Sequence, residues 1–204
     1  MVYQAIGSPG SRLTRVIWML EELGQPYEIV KAKQHNETMR RFNPTGKMPA
    51  LVDGDFVLTD SAAICAYLGE KHEDKGLGPD PGAQGRAEMV SWMLYALSEF
   101  EQPMWNKMKH RFILDPEHRI EVGPWTRLEF DAEVRALESK LAGRPYALGE
   151  RFSAVDVILG HCGQWARSGK FEVASKPVAD YFERVLSRPA LARAREREKE
   201  AQAQ

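Results

Sequence analysis

The sequence predicts a mixed α/β half followed by an all-helical half. Three observations carry this expectation. Up to about Leu68 short apolar runs alternate with one strongly periodic helix, a Gly- and Pro-rich stretch follows, and beyond it only helical periodicity remains.

Val2 to Ile6 reads as a first strand, closed by the loop Gly7-Ser8-Pro9-Gly10-Ser11. Leu13, Val16, Ile17, Leu20 and Leu23 then follow helical spacing, and Gly24 with Pro26 makes a C-terminal stop. Tyr27 to Val30 returns as a second strand, so the unit is βαβ with parallel strands and a right-handed crossover. The polar stretch Lys31 to Phe42 carries a short helical signal around Glu37 to Phe42.

The chain is organised around Met48 to Ser61. Two apolar runs, Ala50 to Val52 and Phe56 to Leu58, flank Asp53-Gly54-Asp55 and read as an antiparallel hairpin. Asp60-Ser61 then precedes Ala62, Ile64, Cys65 and Leu68, a helix start with a short polar residue to accept orphan N–H groups. A strand edge beside a helix N-terminus suits a small anionic peptide ligand, because the edge pairs with its backbone while the terminus and a hydroxyl hold a carboxylate. Pro49, opening a strand, points to a cis peptide bond.

A change of composition over 72–85 marks a linker at 75–83 between a domain at 1–74 and one at 84–204. Met89, Trp92, Met93, Ala96, Leu97, Phe100 and Met104 form one helical stripe, while Val90, Leu94 and Tyr95 make a second side apolar, as for a helix that is buried or borders a cavity. Phe130 to Leu141 forms another helix, with Pro124 near its start and Gly143-Arg144-Pro145 at its end. Ser153 and Asp156 have the spacing of a capping box before Val155, Ile158, Leu159 and Cys162. Val178, Tyr181, Phe182 and Val185 give one more helix. From Arg193 to Lys199 charges alternate without an apolar face, which reads as a frayed, solvated helix.

The 204 residues are 43% apolar, enough for a substantial core, and the net charge of −1 provides no field for nucleic acid or an anionic membrane. No apolar run of membrane-spanning length occurs and the first residues lack signal-peptide character, so a cytoplasmic location is expected. Cys65 and Cys162 sit on apolar helical stripes as packing residues, and the five histidines show no metal-ligand spacing, so no metal is expected.

Asn43-Pro44-x-Gly46-Lys47-Met48-Pro49-Ala50-Leu51, followed by Asp60-Ser61-x-x-Ile64-x-x-Tyr67-Leu68, resembles the glutathione-binding, thioredoxin-like half of the cytosolic glutathione transferases. The resemblance extends from Val2 to about Pro189 and implies a β-α-β-α-β-β-α half before a helical bundle. No tyrosine or cysteine occupies the first loop, since Tyr3 lies within the first strand, so the likeness is to the serine-type, bacterial-like members. By that resemblance Asp60 and Ser61 hold the γ-glutamyl end of glutathione, and Met48 beside Pro49 pairs with its cysteinyl portion. Lys47 or His35 reaches its glycine carboxylate. Ser8 and Ser11 are alternative activating hydroxyls, since two ways of matching the loop differ by three residues. Arg12 is either a partner of the thiolate or a carboxylate, or a solvated charge.

Trp92, Met93, Phe100, Met104 and Trp105 supply apolar surface for a hydrophobic electrophile, although most of them belong to the core. Lys107, Lys109 or Arg111 is a candidate to polarise that substrate. The implied function is a glutathione transferase acting as a homodimer, with Met89, Trp92 and Met93 partly at the interface or the cleft. The alternatives on this fold are a glutathione-dependent peroxidase or isomerase, and a non-catalytic binding or regulatory protein.

Overall fold

The computed structural model describes residues 2–203. Strand β1 (Tyr3–Gly7) leads into α1 (Leu13–Leu23), and β2 (Tyr27–Lys31) returns beside it. Helix α2 (Glu37–Phe42), the hairpin of β3 (Ala50–Asp53) and β4 (Phe56–Thr59), and α3 (Ser61–Lys71) complete the expected thioredoxin-like order. The sheet runs β2-β1-β3-β4. β1 and β2 are parallel, with Tyr3 opposite Tyr27, and β3 is antiparallel to both β1 and β4.

Successive strand residues face opposite sides of a sheet, so Tyr3, Ala5 and Leu51 pack with α1 and α3 on one face. Ile6 and Ala50 pack with Met39 of α2 on the other. Gly24, at φ 65°, closes α1 and lets Gln25 N–H reach the Leu20 carbonyl at 3.0 Å. Gly46, at φ 70°, sits against His35, where a Cβ would stand 2.7 Å from Nδ1. Glycine is required there on both counts.

The second part is helical. α4 (Gly82–Tyr95) continues through a π-helical turn, Ala96–Phe100, into α5 (Gln102–Met108). At the end of that turn Glu101 N–H bonds the Ala96 carbonyl five residues back at 3.0 Å, the wide step that such a turn inserts. α6 (Gly123–Leu141), α7 (Ala154–Ser168), α8 (Lys176–Leu186) and α9 (Pro189–Ala203) follow, with Pro124 in the first turn of α6 as expected.

Helix α7 is the axis of this half, and every residue from Ala154 to Gly163 is buried. Its glycines permit that approach, since a Cβ at Gly160 would come within 2.6 Å of Val185 and one at Gly163 within 2.6 Å of Phe182. The Asp156 carboxylate accepts Ser153 N–H at 2.8 Å, the returning arm of the expected capping box. It also accepts Ala147 N–H at 2.9 Å and the Tyr181 hydroxyl at 2.8 Å, so one carboxylate fastens α7, α8 and the segment before α7. Among the described residues no helix is long and apolar enough to cross a membrane.

Two expectations are corrected. Most of the second apolar side of α4 is not buried: Val90 is 52% and Leu94 61% exposed, because α4 packs through Met89, Trp92 and Met93, and of that second side only Tyr95 is half-buried, donating to the Glu133 carbonyl at 3.1 Å. The C-terminal segment is not a frayed, solvated helix. It forms α9, which packs along α1 through Ala190, Leu191, Ala194 and Glu198. Alanine provides close approach without looking like an apolar stripe. Arg188 and Arg193 secure the same helix by bonding Glu22 and Glu21 of α1 at 2.6 and 2.8 Å.

Candidate active site

Three segments of the α/β part meet at one cleft of about 590 Å³: the loop between β1 and α1, the stretch before β3, and the junction of β4 with α3. Leu97, Glu101, Gln102, Trp105 and Met108 from the α4–α5 run, Ile113 from the turn after it and Trp165 of α7 form the opposite wall. Gly10, Ser11, Arg12, Lys47, Met48, Pro49, Asp60 and Ser61 all line the cleft. Of the glutathione-side residues expected from sequence, His35 does not. It is exposed, with Nδ1 3.1 Å from the Thr45 carbonyl, because the tight turn at Gly46 draws the imidazole onto the outside of the loop.

The Met48–Pro49 peptide is cis. The N–H and carbonyl of Met48 make no hydrogen bond among the described residues, since pairing of β3 with β1 begins only at Ala50 opposite Ile6. An unpaired peptide edge therefore faces the cleft, free to pair with an extended ligand. The side chain of Met48 turns back, its Sδ 3.3 Å from Ser8 N.

Asp60 caps α3 by accepting Ala62 N–H at 2.9 Å, and its φ of 72° is unfavourable for a residue with a Cβ. Ser61 opens the helix and is buried, with Oγ accepting a hydrogen bond from Arg15 Nη1 at 3.1 Å. Arginine only donates, so the hydroxyl hydrogen of Ser61 is left for an acceptor in the cleft. That donor and the positive end of α3 converge on one point.

In the first loop the Ser8 hydroxyl donates to the Ala32 carbonyl at 2.8 Å, and Ser8 does not line the cleft. Ser11 does, and its Oγ donates to the Ser8 carbonyl at 2.6 Å while accepting Leu13 N–H at 3.2 Å. Helix α1 begins at Leu13, one residue later than Arg12, and Ser11 still caps its first turn. Arg12 is not a solvated charge: Nε bonds Glu101 Oε1 at 2.8 Å, and the guanidinium lies 4.6 and 4.9 Å from the ring centres of Trp105 and Trp165.

The aromatic candidates divide. Trp105 lines the cleft, but Trp92, Met93 and Phe100 lie in the core. The helix face that carries them points at α6 and α7, so they supply packing rather than substrate surface. The same burial removes Met89, Trp92 and Met93 from any interface. Met104 is buried beside an adjoining hollow with Lys107, Arg111 and Phe171. Lys107 donates to the Gly169 carbonyl at 3.3 Å, Lys109 lies 6.0 Å from the Trp105 ring centre, and Arg111 stacks on Phe112. Burial pushes the thiols of Cys65 and Cys162 up to about 12, which makes both inert packing groups.

Sequence reading missed Arg15, Glu101 and His161. Arg15 is fully buried on α1 and pairs with Glu101, which also binds Arg12. Desolvation by burial pushes the Glu101 carboxyl up, but Arg15 and Arg12 outweigh it and hold it below the usual carboxylate range. Arg15 Nε donates to His161 Nδ1 at 3.1 Å. Burial, then Arg15 and Arg12, hold that imidazole neutral, and its remaining hydrogen therefore sits on Nε2. The available signal was Glu101 itself, an acid four residues after Leu97 and three before Met104, at helical spacing from the apolar stripe.

Because the folded pKa of Glu101 is depressed, its contribution to stability is complete above the unfolded value of about 4.3 and is lost as pH falls through the folded value. Glu101→Gln leaves a buried arginine without its counter-charge and is expected to cost about 3–5 kcal/mol in thermal or denaturant unfolding at neutral pH. A loss below about 1 kcal/mol would show that solvent replaces the pair.

With this geometry in place, comparison with known proteins gives a consistent answer. The family model "Glutathione S-transferase, N-terminal domain" matches residues 5–76. Mouse glutathione S-transferase theta-3 is 33% identical over 136 residues, 64% of this chain and 56% of the relative. Human glutathione S-transferase theta-2B is 30% identical over 172 residues, 81% of this chain and 65% of the relative, so the chain spans less than two thirds of either. The solved structure of a sphingomonad glutathione S-transferase complexed with glutathione superposes with a TM-score of 0.82 at 26% identity, covering 96% of this chain and 98% of that one. Residues 5–76 thus belong to the glutathione S-transferase N-terminal domain family, and the chain as a whole is similar in sequence and fold to glutathione S-transferases.

Proposed function

We propose that the protein is a glutathione transferase, with 1–74 as the glutathione-binding domain and 84–204 as the helical domain. It binds the tripeptide along Met48, lowers the pKa of its thiol, and adds the thiolate to a hydrophobic electrophile. The observation that carries this reading is the unpaired peptide edge at Met48, lying beside the Ser61 hydroxyl and the N-terminus of α3 in one cleft. The γ-glutamyl group falls to Asp60 and Ser61, the glycine carboxylate to Lys47, and the electrophile to the wall of Leu97, Trp105, Met108, Ile113 and Trp165. The glutathione carried by the sphingomonad relative supports the choice of ligand. Rate enhancement then comes from proximity and from stabilising the thiolate, which is the nucleophile.

Ser61→Ala removes a donor to the ligand's carboxylate and is expected to weaken glutathione binding by about 1–3 kcal/mol in calorimetry. Unchanged affinity would take the site away from Ser61.

Ser11 is the proposed activating hydroxyl, because it lines the cleft at the start of α1 while Ser8 is turned to Ala32. To meet a thiolate its hydrogen swings from the Ser8 carbonyl. A hydrogen bond of about 1.5–3 kcal/mol corresponds to roughly one to two pKa units. Ser11→Ala is therefore expected to raise the kinetic pKa of bound thiol more than Ser8→Ala, read from the pH dependence of conjugation to an aryl halide. The opposite ranking would assign the role to Ser8, and no shift in either would assign it to backbone N–H groups or Arg12.

We also propose a homodimer in which the α/β half of one chain meets the helical half of the other across a two-fold axis. Each half exposes an apolar pair that suits this arrangement: Phe56 and Val57 on β4, Val90 and Leu94 on α4. Sedimentation at micromolar concentration should give twice the chain mass of 23.1 kDa, and a monomer there would refute the pairing.

A further inference from the structure

The buried face of α9 consists of Ala190, Leu191, Ala194 and one acid, Glu198, only 7% exposed. Its Oε1 accepts two hydrogen bonds, from Gly10 N–H at 3.0 Å and from the Thr14 hydroxyl at 2.8 Å. Among the described residues it forms no salt bridge. Burial pushes its carboxyl up, with the two donated hydrogen bonds and Arg195 opposing. A leucine or alanine would dock α9 on α1 without that desolvation cost. What the carboxylate adds is its grip on the first loop.

That grip falls between the loop's other side-chain ties to the body, the Ser8 hydroxyl on the Ala32 carbonyl and Arg12 on Glu101. Gly10 stands between Ser8 and Ser11 at φ 78°, is exposed, and a Cβ there would meet nothing within 4 Å, so no packing holds this peptide. The loop's own bonds, Ser11 N–H and Oγ to the Ser8 carbonyl at 3.3 and 2.6 Å, tie it to itself rather than to the body of the protein. Glu198 adds an anchor to another helix on one side of Ser11, through Gly10, and on the other through Thr14, whose N–H bonds the Ser11 carbonyl at 3.0 Å.

We propose that Glu198 is a positioning residue: from the C-terminal helix it clamps Gly10 and Thr14, and so holds Ser11 and the first turn of α1 where the thiol must be activated. The role rests on the transferase reading above, but the clamp itself does not. It makes the tail of the chain part of the site's support, although α9 contributes no residue to the cleft wall described above.

Three variants separate the clamp from simple helix docking. Glu198→Ala removes it, Glu198→Gln keeps a carbonyl oxygen able to accept both bonds, and Leu191→Ala loosens α9 without touching the loop. Amide hydrogen exchange of the peptide spanning 8–14 is the first readout and needs no ligand. Exchange there is expected to quicken about tenfold in Glu198→Ala and to stay within about twofold of the unaltered protein in the other two variants. The second readout is conjugation of glutathione to an aryl halide. Glu198→Ala should lower kcat about tenfold and raise the kinetic thiol pKa by about one unit, with KM for glutathione changed less, and Glu198→Gln should recover most of the loss. Unchanged loop exchange in Glu198→Ala would overturn the proposal. So would a quickened loop with unaltered kcat and pKa, or a Leu191→Ala variant that reproduces the loss of turnover. If the unaltered protein neither binds nor conjugates glutathione, the transferase reading fails instead, and exchange alone decides whether the clamp exists.

Discussion

The cleft depends on one buried ion pair, that between Arg15 and Glu101. Arg15 is carried by α1, in the α/β part, and Glu101 by the helical run of α4 and α5, so the pair joins the two walls of the cleft. Two charges withdrawn from water repay their desolvation only when their remaining hydrogen-bonding capacity is met. Here it is met by groups in and behind the cleft wall. Arg15 donates to Ser61 and to His161, and the second oxygen of Glu101 takes Arg12 beside the two tryptophans. The arrangement of buried charge is therefore also the arrangement of the site: it aims the hydroxyl hydrogen of Ser61, holds Arg12 on the aromatic wall and keeps His161 neutral.

Much of the α/β part was legible because its signals are local. Gly24 ends α1, Asp53-Gly54-Asp55 turns the hairpin, and Asp60 caps α3, each through the chemistry of one or two residues. The convergence of Met48, Pro49, Asp60 and Ser61 on one cleft was legible for the same reason, since they sit at turns and caps whose geometry the chain states directly. His35 shows the limit of this reading, since its distance from the cleft is decided by how Gly46 folds beneath it.

The rest was hidden because it is decided by packing between distant elements. An aromatic stripe gives no sign of which neighbour it will meet, so Trp92, Met93 and Phe100 look no different in sequence from Trp105, yet three are core and one is cleft. The tail was misleading in another way. Its charges alternate, and the small residues that let it approach α1, Ala190 and Ala194, carry little hydropathy. Charged side chains at the edge of such a contact settle its position: Arg188 and Arg193 bond α1 from outside, while Glu198 reaches the first loop from within. The loop at the edge of the cleft is thus held by a residue more than a hundred positions away in the chain.

The central claim is that the edge at Met48 and the start of α3 form a site for a γ-glutamyl peptide. Calorimetric titration of the unaltered protein with glutathione and with cysteinylglycine, which lacks the γ-glutamyl group, tests it most directly. The account predicts binding of glutathione, and binding of cysteinylglycine weaker by at least about tenfold, the equivalent of one charged hydrogen bond. Equal affinity for the two peptides, or no heat of binding with glutathione, would contradict it.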